Sequence, residues 1–145
     1  MKTYFKYIIL VFFALSALNS FAQEKEIEVK VNLEVGSLIK INPCKKGKEE
    51  FEGIDVYARN QAYDKKKVKK ETGEGLIEAF FEKNTSIDAK RLPCVMGGHS
   101  YKIASLQEFP TPEGIKRVVI CYTTYDLTII WIDLDKALEA GEIAL

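Results

Sequence analysis

Residues 118–134 read VVICYTTYDLTIIWIDL, two apolar runs separated by a short polar segment. The runs at residues 118–121 and 129–132 are apolar at successive positions, whereas a half-buried strand alternates apolar with polar residues. Both faces of each run are therefore expected to be covered. The residues around Tyr125-Asp126 carry turn chemistry. The segment predicts two central strands of a sheet, joined by a turn.

Two turn signals precede this pair of strands. The sequence Thr-Pro-Glu-Gly at residues 111–114 suits a type I turn that leads into a strand at 115–123. Gly97-Gly98 suits a primed hairpin turn between strands at residues 92–96 and 99–106. Strands connected by such short turns are antiparallel.

The N-terminal half carries two further strand signals. Residues 26–35, EIEVKVNLEV, alternate strictly and place five apolar side chains on one face, which predicts a half-buried strand. Gly36 interrupts the pattern, and residues 38–41 resume it. Alternation at residues 53–59 predicts another strand.

Helical signals are few and short. The apolar residues at 76, 77, 80 and 81 share one helical face, although a strand remains an alternative there. Residues 134–140 predict a helix that Asp133 caps and Gly141 ends. The fold class predicted is mainly β (or α+β): a single small antiparallel β-barrel or sandwich-like domain with one or two short helices.

The overall composition indicates an ordinary globular domain. The chain has 145 residues, 47% of them hydrophobic and 29% charged, with 21 basic and 21 acidic side chains. This balance gives no reason to expect a nucleic-acid partner. Three cysteines and one histidine are too few for a four-coordinate zinc site unless other ligands contribute, so neither a metal nor a cofactor is expected.

The first 22 residues have the layout of a secretory signal peptide. Two lysines precede an apolar run at residues 8–18, and small residues follow before Ala22-Gln23, the expected cleavage point. That run is about half the roughly 20 residues that span a bilayer. Residues 23–145 then form the predicted domain, without a further transmembrane segment. The expected location is the bacterial periplasm or the outside of the cell.

The cysteines suggest a disulfide. Cys44 and Cys94 each follow a proline near the end of a predicted strand, and an exported chain meets an oxidising compartment. Their pairing is a hypothesis from context, because connectivity does not follow from sequence. Cys121 lies inside a predicted buried strand and would be left over. The alternative is that all three are small buried hydrophobic residues.

A thiol-based catalytic site is the alternative to a disulfide. Cys94 or Cys44 would act as the nucleophile, with His99 as its base. A histidine beside a hairpin turn is more often a solvent-facing residue, and no third group that would orient it is evident. No catalytic motif is recognised, and an enzyme is not favoured.

A lysine-rich loop is predicted near residues 60–75. Its candidate anion-binding residues are Lys65, Lys66, Lys67, Lys69 and Lys70. Such a run suits phosphate, polysaccharide acids or an anionic membrane surface. Bordering acids favour the plainer interpretation, a solvated and mobile connection.

The aromatic residues allow two interpretations. They could line a ligand groove or, more often in a small β domain, fill the core. The residues in question are Phe80, Phe81, Tyr122, Tyr125 and Trp131.

The function expected from these observations is that of an exported β-rich binding or interaction module. Its partner would be an unknown protein or an anionic ligand of the cell envelope, bound by loops such as the lysine loop. The alternative is the thiol-dependent enzyme or redox-active protein. A third hypothesis is a partner protein that adds an exposed strand edge to another sheet.

Overall fold

The computed structural model describes residues 32–83 and 85–145, which contain seven strands and two short helices. The strands are β1 (Leu38–Ile41), β2 (Glu50–Arg59), β3 (Ile87–Pro93), β4 (Ser100–Thr111), β5 (Gly114–Tyr122), β6 (Thr128–Asp133) and β7 (Ile143–Ala144). The helices are α1 (Leu76–Phe80) and α2 (Leu134–Glu139). The strands form one antiparallel sheet in the order β3-β2-β6-β5-β4-β1-β7, curled into a half-barrel. The mainly β prediction is confirmed.

The two apolar runs form the centre of this sheet. β5 pairs with β4 on one side and with β6 on the other, and β6 pairs in turn with β2. Alternate side chains of both strands enter two different cores, so the prediction of central strands covered on both faces is confirmed. The first core comprises Ile39, Ile41, Phe51, Ile54, Val56, Leu92, Ile103, Val119, Cys121, Ile130, Ile132, Leu134, Ala137 and Ile143. The second core comprises Tyr63, Val68, Leu76, Ala79, Phe80, Ala104, Val118, Ile120 and Ile129.

Helix α2 covers the first core. The Asp133 carboxylate accepts a hydrogen bond from the Lys136 N–H at 3.4 Å, and Gly141 follows the helix with φ +69°, so both predicted helix boundaries hold. The helix lies directly against β2. A Cβ atom at Gly53 would come 2.7 Å from the Ala137 nitrogen, so this close approach requires glycine.

Helix α1 covers the second core from the opposite face of the sheet. The segment is an α-helix, which confirms the helical interpretation, and its residues Leu76, Ala79 and Phe80 are buried. A helix of five residues is not stable by itself. Burial of Leu76 and Phe80 against the central strands therefore holds it in place.

The curl brings the two ends of the sheet together. Glu142 precedes the edge strand β7, and its carboxylate accepts hydrogen bonds from the N–H groups of Glu52 (2.5 Å) and Gly53 (2.8 Å) in β2. Gly98 lies in the segment after β3, and its N–H donates to the Ile41 carbonyl of β1 at 2.9 Å. These contacts join opposite ends of the strand order, and we call the line along which they meet the seam.

The predicted hairpin at Gly97-Gly98 is wrong. β3 pairs only with β2 and β4 pairs with β5 and β1, so the two segments that flank the glycines are not neighbours. The chain instead makes a single 3₁₀ turn at Cys94–Met96 and crosses the seam. Gly97 serves a close approach there, because a Cβ atom would lie 2.8 Å from the Asn42 carbonyl oxygen.

The other predicted turns are in place. Thr111 pairs with Gly114 across a two-residue link, and its hydroxyl donates to the Gly114 carbonyl at 2.7 Å. The turn around Tyr125-Asp126 joins β5 to β6. The strand predicted at residues 53–59 lies within β2, which begins three residues earlier.

The strand predicted at residues 26–35 is wrong for residues 32–35, which are the part of it that the structure describes. Its residues 26–31 lie outside the described part of the chain, and residues 32–35 form no strand. The Ser37 N–H and hydroxyl both donate to the Glu34 carbonyl, at 3.1 and 2.7 Å, which produces a turn. Leu33 still packs against the first core. The strand pattern resumes at β1, as expected.

Candidate functional site

The loop at residues 60–75 is anchored by a buried arginine. Arg59 is the last residue of β2 and is only 6% exposed. Its guanidinium donates to the carbonyls of Gln61 (2.9 Å), Ala79 (2.9 Å) and Phe80, and to the Thr85 hydroxyl (3.0 Å). One side chain thus satisfies carbonyl groups at the C-terminal end of α1 and fixes the start of the loop. The sequence analysis assigned no role to Arg59.

Two apolar side chains hold the loop against the sheet. Tyr63 and Val68 are buried in the second core. Between them, the Asp64 carboxylate caps the 3₁₀ turn Lys65–Lys67 by accepting from the Lys66 N–H at 3.0 Å. The lysine side chains are exposed, as predicted, but the loop that carries them follows a fixed, hydrogen-bonded path over the second core.

The C-terminal part of the loop docks on an irregularity in β4. The register of β4 against β5 shifts between Ile103 and Ser105. Gly73, with φ +71°, approaches this point so closely that a Cβ atom would lie 2.2 Å from the Ala104 carbonyl oxygen. A bulge therefore receives the loop backbone, and only glycine fits there.

Carboxylates neutralise three of the five predicted anion-binding lysines. Lys65 pairs with Asp126 at 2.8 Å, Lys67 with Glu82 at 3.5 Å and Lys69 with Glu74 at 2.6 Å. Lys66 and Lys70 form no ion pair with the described residues. Carboxylates of neighbouring segments therefore compensate part of the positive charge of the run.

A cleft of about 480 Å³ opens between the loop and the strands. Three lysines and three tyrosines line it: Lys65, Lys70, Lys102, Tyr63, Tyr122 and Tyr125. Its volume lies within the range of roughly 300–1,000 Å³ that is usual for small-molecule sites. The cleft combines part of the predicted lysine loop with a cation from β4 that the sequence analysis did not single out.

The cleft has a net positive charge. Lys70 and Lys102 have no acidic partner among the described residues. Lys65 is bound to Asp126, which links the lysine loop to the β5–β6 turn, and this hydrogen bond raises the pKa of Lys65. Lys65, Lys70 and Lys102 are the basic side chains that line the cleft. Together with the Asp126 carboxylate they leave two uncompensated positive charges in the cleft.

Two of the tyrosines are fixed and neutral. Burial raises the pKa of Tyr63 and of Tyr122, so both phenols remain protonated and able to donate. The Tyr63 ring packs edge-on against Phe80 with centroids 5.4 Å apart, and the Arg59 guanidinium lies 5.6 Å from its centre. The Tyr63 phenol is therefore a preorganised hydrogen-bonding group in the wall of the cleft, and the partly buried Tyr122 lines the same cleft.

The third tyrosine, Tyr125, is 72% exposed. The core interpretation is wrong for this residue. The Thr123 hydroxyl accepts a hydrogen bond from the Tyr125 N–H at 3.0 Å and donates to the Thr128 carbonyl at 3.1 Å. The turn that carries Tyr125 is thus tied to the start of β6, and it presents an open aromatic face beside the lysines.

The remaining aromatic candidates pack against the second core. Phe80 is fully buried, which confirms the core interpretation. Trp131 stacks on Phe109, with ring planes 18° apart and centroids at 5.7 Å, and meets Phe81 edge-on. Phe81, Tyr122 and Trp131 are partly buried against this core.

The cysteines form the pairing suggested by the sequence. Cys44 and Cys94 are joined in a disulfide, with Cα atoms 5.4 Å apart, and Cys121 is free and buried. The bond connects the segment after β1 to the crossover after β3, so it staples the seam. Such a loop stabilises a fold by about 4 kcal/mol in the chain-entropy treatment.

The disulfide also bears on the hypothesis of a thiol-based catalytic site. Both proposed nucleophiles, Cys44 and Cys94, are consumed in the disulfide, and burial raises the pKa of Cys121 to about 12. His99 is exposed, as predicted. Among the described residues, no group of three or more His, Cys, Asp or Glu side chains could hold a metal ion.

Alkylation with iodoacetamide tests this arrangement. In the denatured, unreduced protein we expect one labelled thiol, Cys121, and after reduction three. In the native protein at pH 7, labelling should be very slow because a thiol with a pKa near 12 supplies almost no thiolate. Intact mass spectrometry counts the adducts. Three adducts without reduction, or rapid native labelling, would contradict the assignment.

The sheet edges bear on the third hypothesis, strand addition. The edge strand β3 exposes Asp88, Lys90 and Arg91 and ends in Pro93, while the opposite edge strand, β7, has two residues. Charges, proline and short length are the usual means by which edges are protected from pairing. The edges therefore offer little support for strand addition.

No helix in the described ranges is long and apolar enough to cross a membrane. Comparison of the chain with protein-family models, with curated proteins and with solved structures finds no match.

Proposed function

We propose that this protein is an exported binding module that takes an anionic ligand in the cleft between the lysine loop and the β5–β6 turn. One observation carries the proposal: Lys70 and Lys102, from two different elements, line a cleft with fixed tyrosines and have no acidic partner among the described residues. Unpaired cations in a concave, partly apolar site favour a ligand of opposite charge.

Export is part of the proposal. Support comes from the leader at residues 1–22, with its charged start, apolar run and Ala22-Gln23 junction. The Cys44–Cys94 disulfide is compatible with an oxidising compartment such as a bacterial periplasm. The ligand would then be a component of the cell envelope or its surroundings.

Retention on immobilised polyanions tests the proposal. The protein, expressed with its own leader, is passed at low salt over columns of polygalacturonate, heparin and polyphosphate. We expect retention on at least one column and elution by salt. The double variant Lys70→Gln/Lys102→Gln should bind about tenfold more weakly or worse, because it removes two charge-assisted contacts of about 1 kcal/mol each.

A matched double variant controls for net charge. Lys46→Gln/Lys90→Gln removes two exposed lysines outside the cleft and should bind like the unmodified protein. Equal loss in both double variants would mean that only overall charge matters. Absence of retention on all three columns would also reject the anion-binding cleft.

A further inference from the structure

We propose that the ligand is an acidic sugar, a uronate within a short oligosaccharide, whose carboxylate binds between Lys70 and Lys102 while its ring packs against Tyr125. This inference rests on the proposed function and adds the chemical class of the ligand. It follows from the combination of groups in the cleft, which includes an aromatic face, neutral phenols, ammonium groups and one carboxylate.

The exposed face of Tyr125 argues for a ring-shaped ligand. The side chain is 72% exposed, yet its backbone is tied down by Thr123, so the ring is presented on an ordered turn. A pyranose has a face of C–H groups that packs on an aromatic ring, while its hydroxyls point outward to polar partners. The amphipathic tyrosine suits such a ligand, because its ring is apolar and its phenol polar.

The carboxylate of Asp126 argues for a ligand with hydroxyl groups. This carboxylate lies in the cleft, and its Oδ1 is 2.8 Å from the Lys65 Nζ. A ligand that only accepts hydrogen bonds, such as a phosphate polymer, would be repelled by this carboxylate. A sugar can donate its hydroxyls to Asp126 and also exchange hydrogen bonds with the phenols of Tyr63 and Tyr122.

The number and type of the cations in the cleft argue for a ligand that places one carboxylate there. Two ammonium groups, Lys70 and Lys102, are unpaired with the described residues, and the basic side chains of the cleft are all lysines. Phosphate sites commonly use the fixed fork of arginine or several backbone N–H groups. Anchoring to an anionic membrane usually takes clusters of four or more basic residues. Two unpaired lysines therefore match a uronate better than they match a phosphate ligand or an anionic membrane.

Calorimetric titration with defined trisaccharides tests the inference. The probes are trigalacturonate, trimannuronate and trigalacturonate methylated at all three carboxyl groups. We expect at least one free acid to bind. If trigalacturonate binds, we expect its methyl ester to bind at least tenfold more weakly. Esterification keeps the sugar ring and removes the negative charge. If trimannuronate is the acid bound, its own methyl ester replaces this control.

Variants of the aromatic face provide the second readout. Tyr125→Ala should weaken binding of the acid about tenfold, whereas Tyr125→Phe, which keeps the ring, should bind within about twofold of the unmodified protein. Tyr125 is exposed, so neither change is expected to prevent folding. A control variant, Ile115→Ala, removes an exposed apolar side chain elsewhere and should leave affinity unchanged.

The remaining outcomes separate this inference from the proposed function. Inorganic phosphate, oligothymidylate and phosphatidylglycerol vesicles are titrated in parallel. If one of these binds in a Lys70- and Lys102-dependent way and neither acidic trisaccharide does, the sugar inference is overturned while the anion-binding function stands. If the methyl ester binds as well as its acid, the role of charge is rejected. If none of these probes binds, the sugar inference is rejected, and retention on the polyanion columns decides the anion-binding function by itself.

Discussion

Replacing Arg59 by alanine is expected to lower the free energy of unfolding by about 3–5 kcal/mol. The guanidinium is buried and donates to four acceptors, three of them carbonyl groups. Its removal leaves the carbonyls of Ala79 and Phe80 without this donor and opens a space beside two aromatic rings. A loss of this size is a large part of the 5–15 kcal/mol by which a domain is usually stable.

Urea unfolding of the oxidised protein, followed by the fluorescence of Trp131, measures the effect. Trp131 is the single tryptophan of the chain and lies against the second core, next to the segment that Arg59 holds. Arg59→Lys should recover only part of the loss, since an ammonium cannot reproduce the geometry of the guanidinium fork.

A second arginine provides the control. Arg91 is an exposed residue of β3 and pairs with the Asp55 carboxylate at 3.0 Å. Surface pairs of this kind contribute about 0–1 kcal/mol, so Arg91→Ala should change stability little. A loss below about 1 kcal/mol for Arg59→Ala, or equal losses in both variants, would show that Arg59 does not anchor the loop.

Gly73→Ala is expected to lower stability by about 3 kcal/mol or more and to weaken binding of anions in the cleft. The new Cβ atom would lie 2.2 Å from the Ala104 carbonyl oxygen and 2.7 Å from the Ser105 Cα, both backbone atoms of β4. The loop would have to move off the sheet, and Lys70, three residues before Gly73, would move with it.

Gly141 separates the steric effect from the backbone effect. It has nearly the same φ, +69° against +71°, but a Cβ placed there has no atom within 4 Å apart from Gly141 itself and its two chain neighbours. Gly141→Ala should therefore cost only the roughly 1–2 kcal/mol of a left-handed conformation and leave anion binding intact. Equal losses of stability in the two variants, or normal anion binding by Gly73→Ala, would contradict the docking of the loop on β4.

The parts of the fold that local signals describe were predictable. Uninterrupted apolar runs marked β5 and β6 as central strands, and an aspartate and a glycine marked both ends of α2. These features depend on side-chain period and capping, which operate over a few residues. The alternation before Gly36 was equally clear, but over residues 32–35 a turn at Glu34–Ser37 takes the place of a strand.

The candidate site was predictable only in part. The lysine loop was recognised, but its five cations were treated as one group. The structure divides them according to which carboxylates lie nearby, and it adds Lys102 from a strand more than thirty residues away. For Tyr125 the core was favoured over a ligand groove because an aromatic residue near a strand is usually buried, whereas its position in a turn leaves it exposed.

The sequence by itself therefore determined the class of fold, the two central strands and the capped helix α2, because each follows from a local pattern of side chains, and it suggested the cysteine pair from context. The tertiary structure decided which strands are neighbours, that the segment after β3 crosses a seam instead of forming a hairpin, and which lysines are left without an acidic partner. The physical reason is the curl of the sheet. It brings Glu142 onto the backbone of Glu52, 90 residues earlier, and a contact between residues so far apart leaves no local pattern in the sequence.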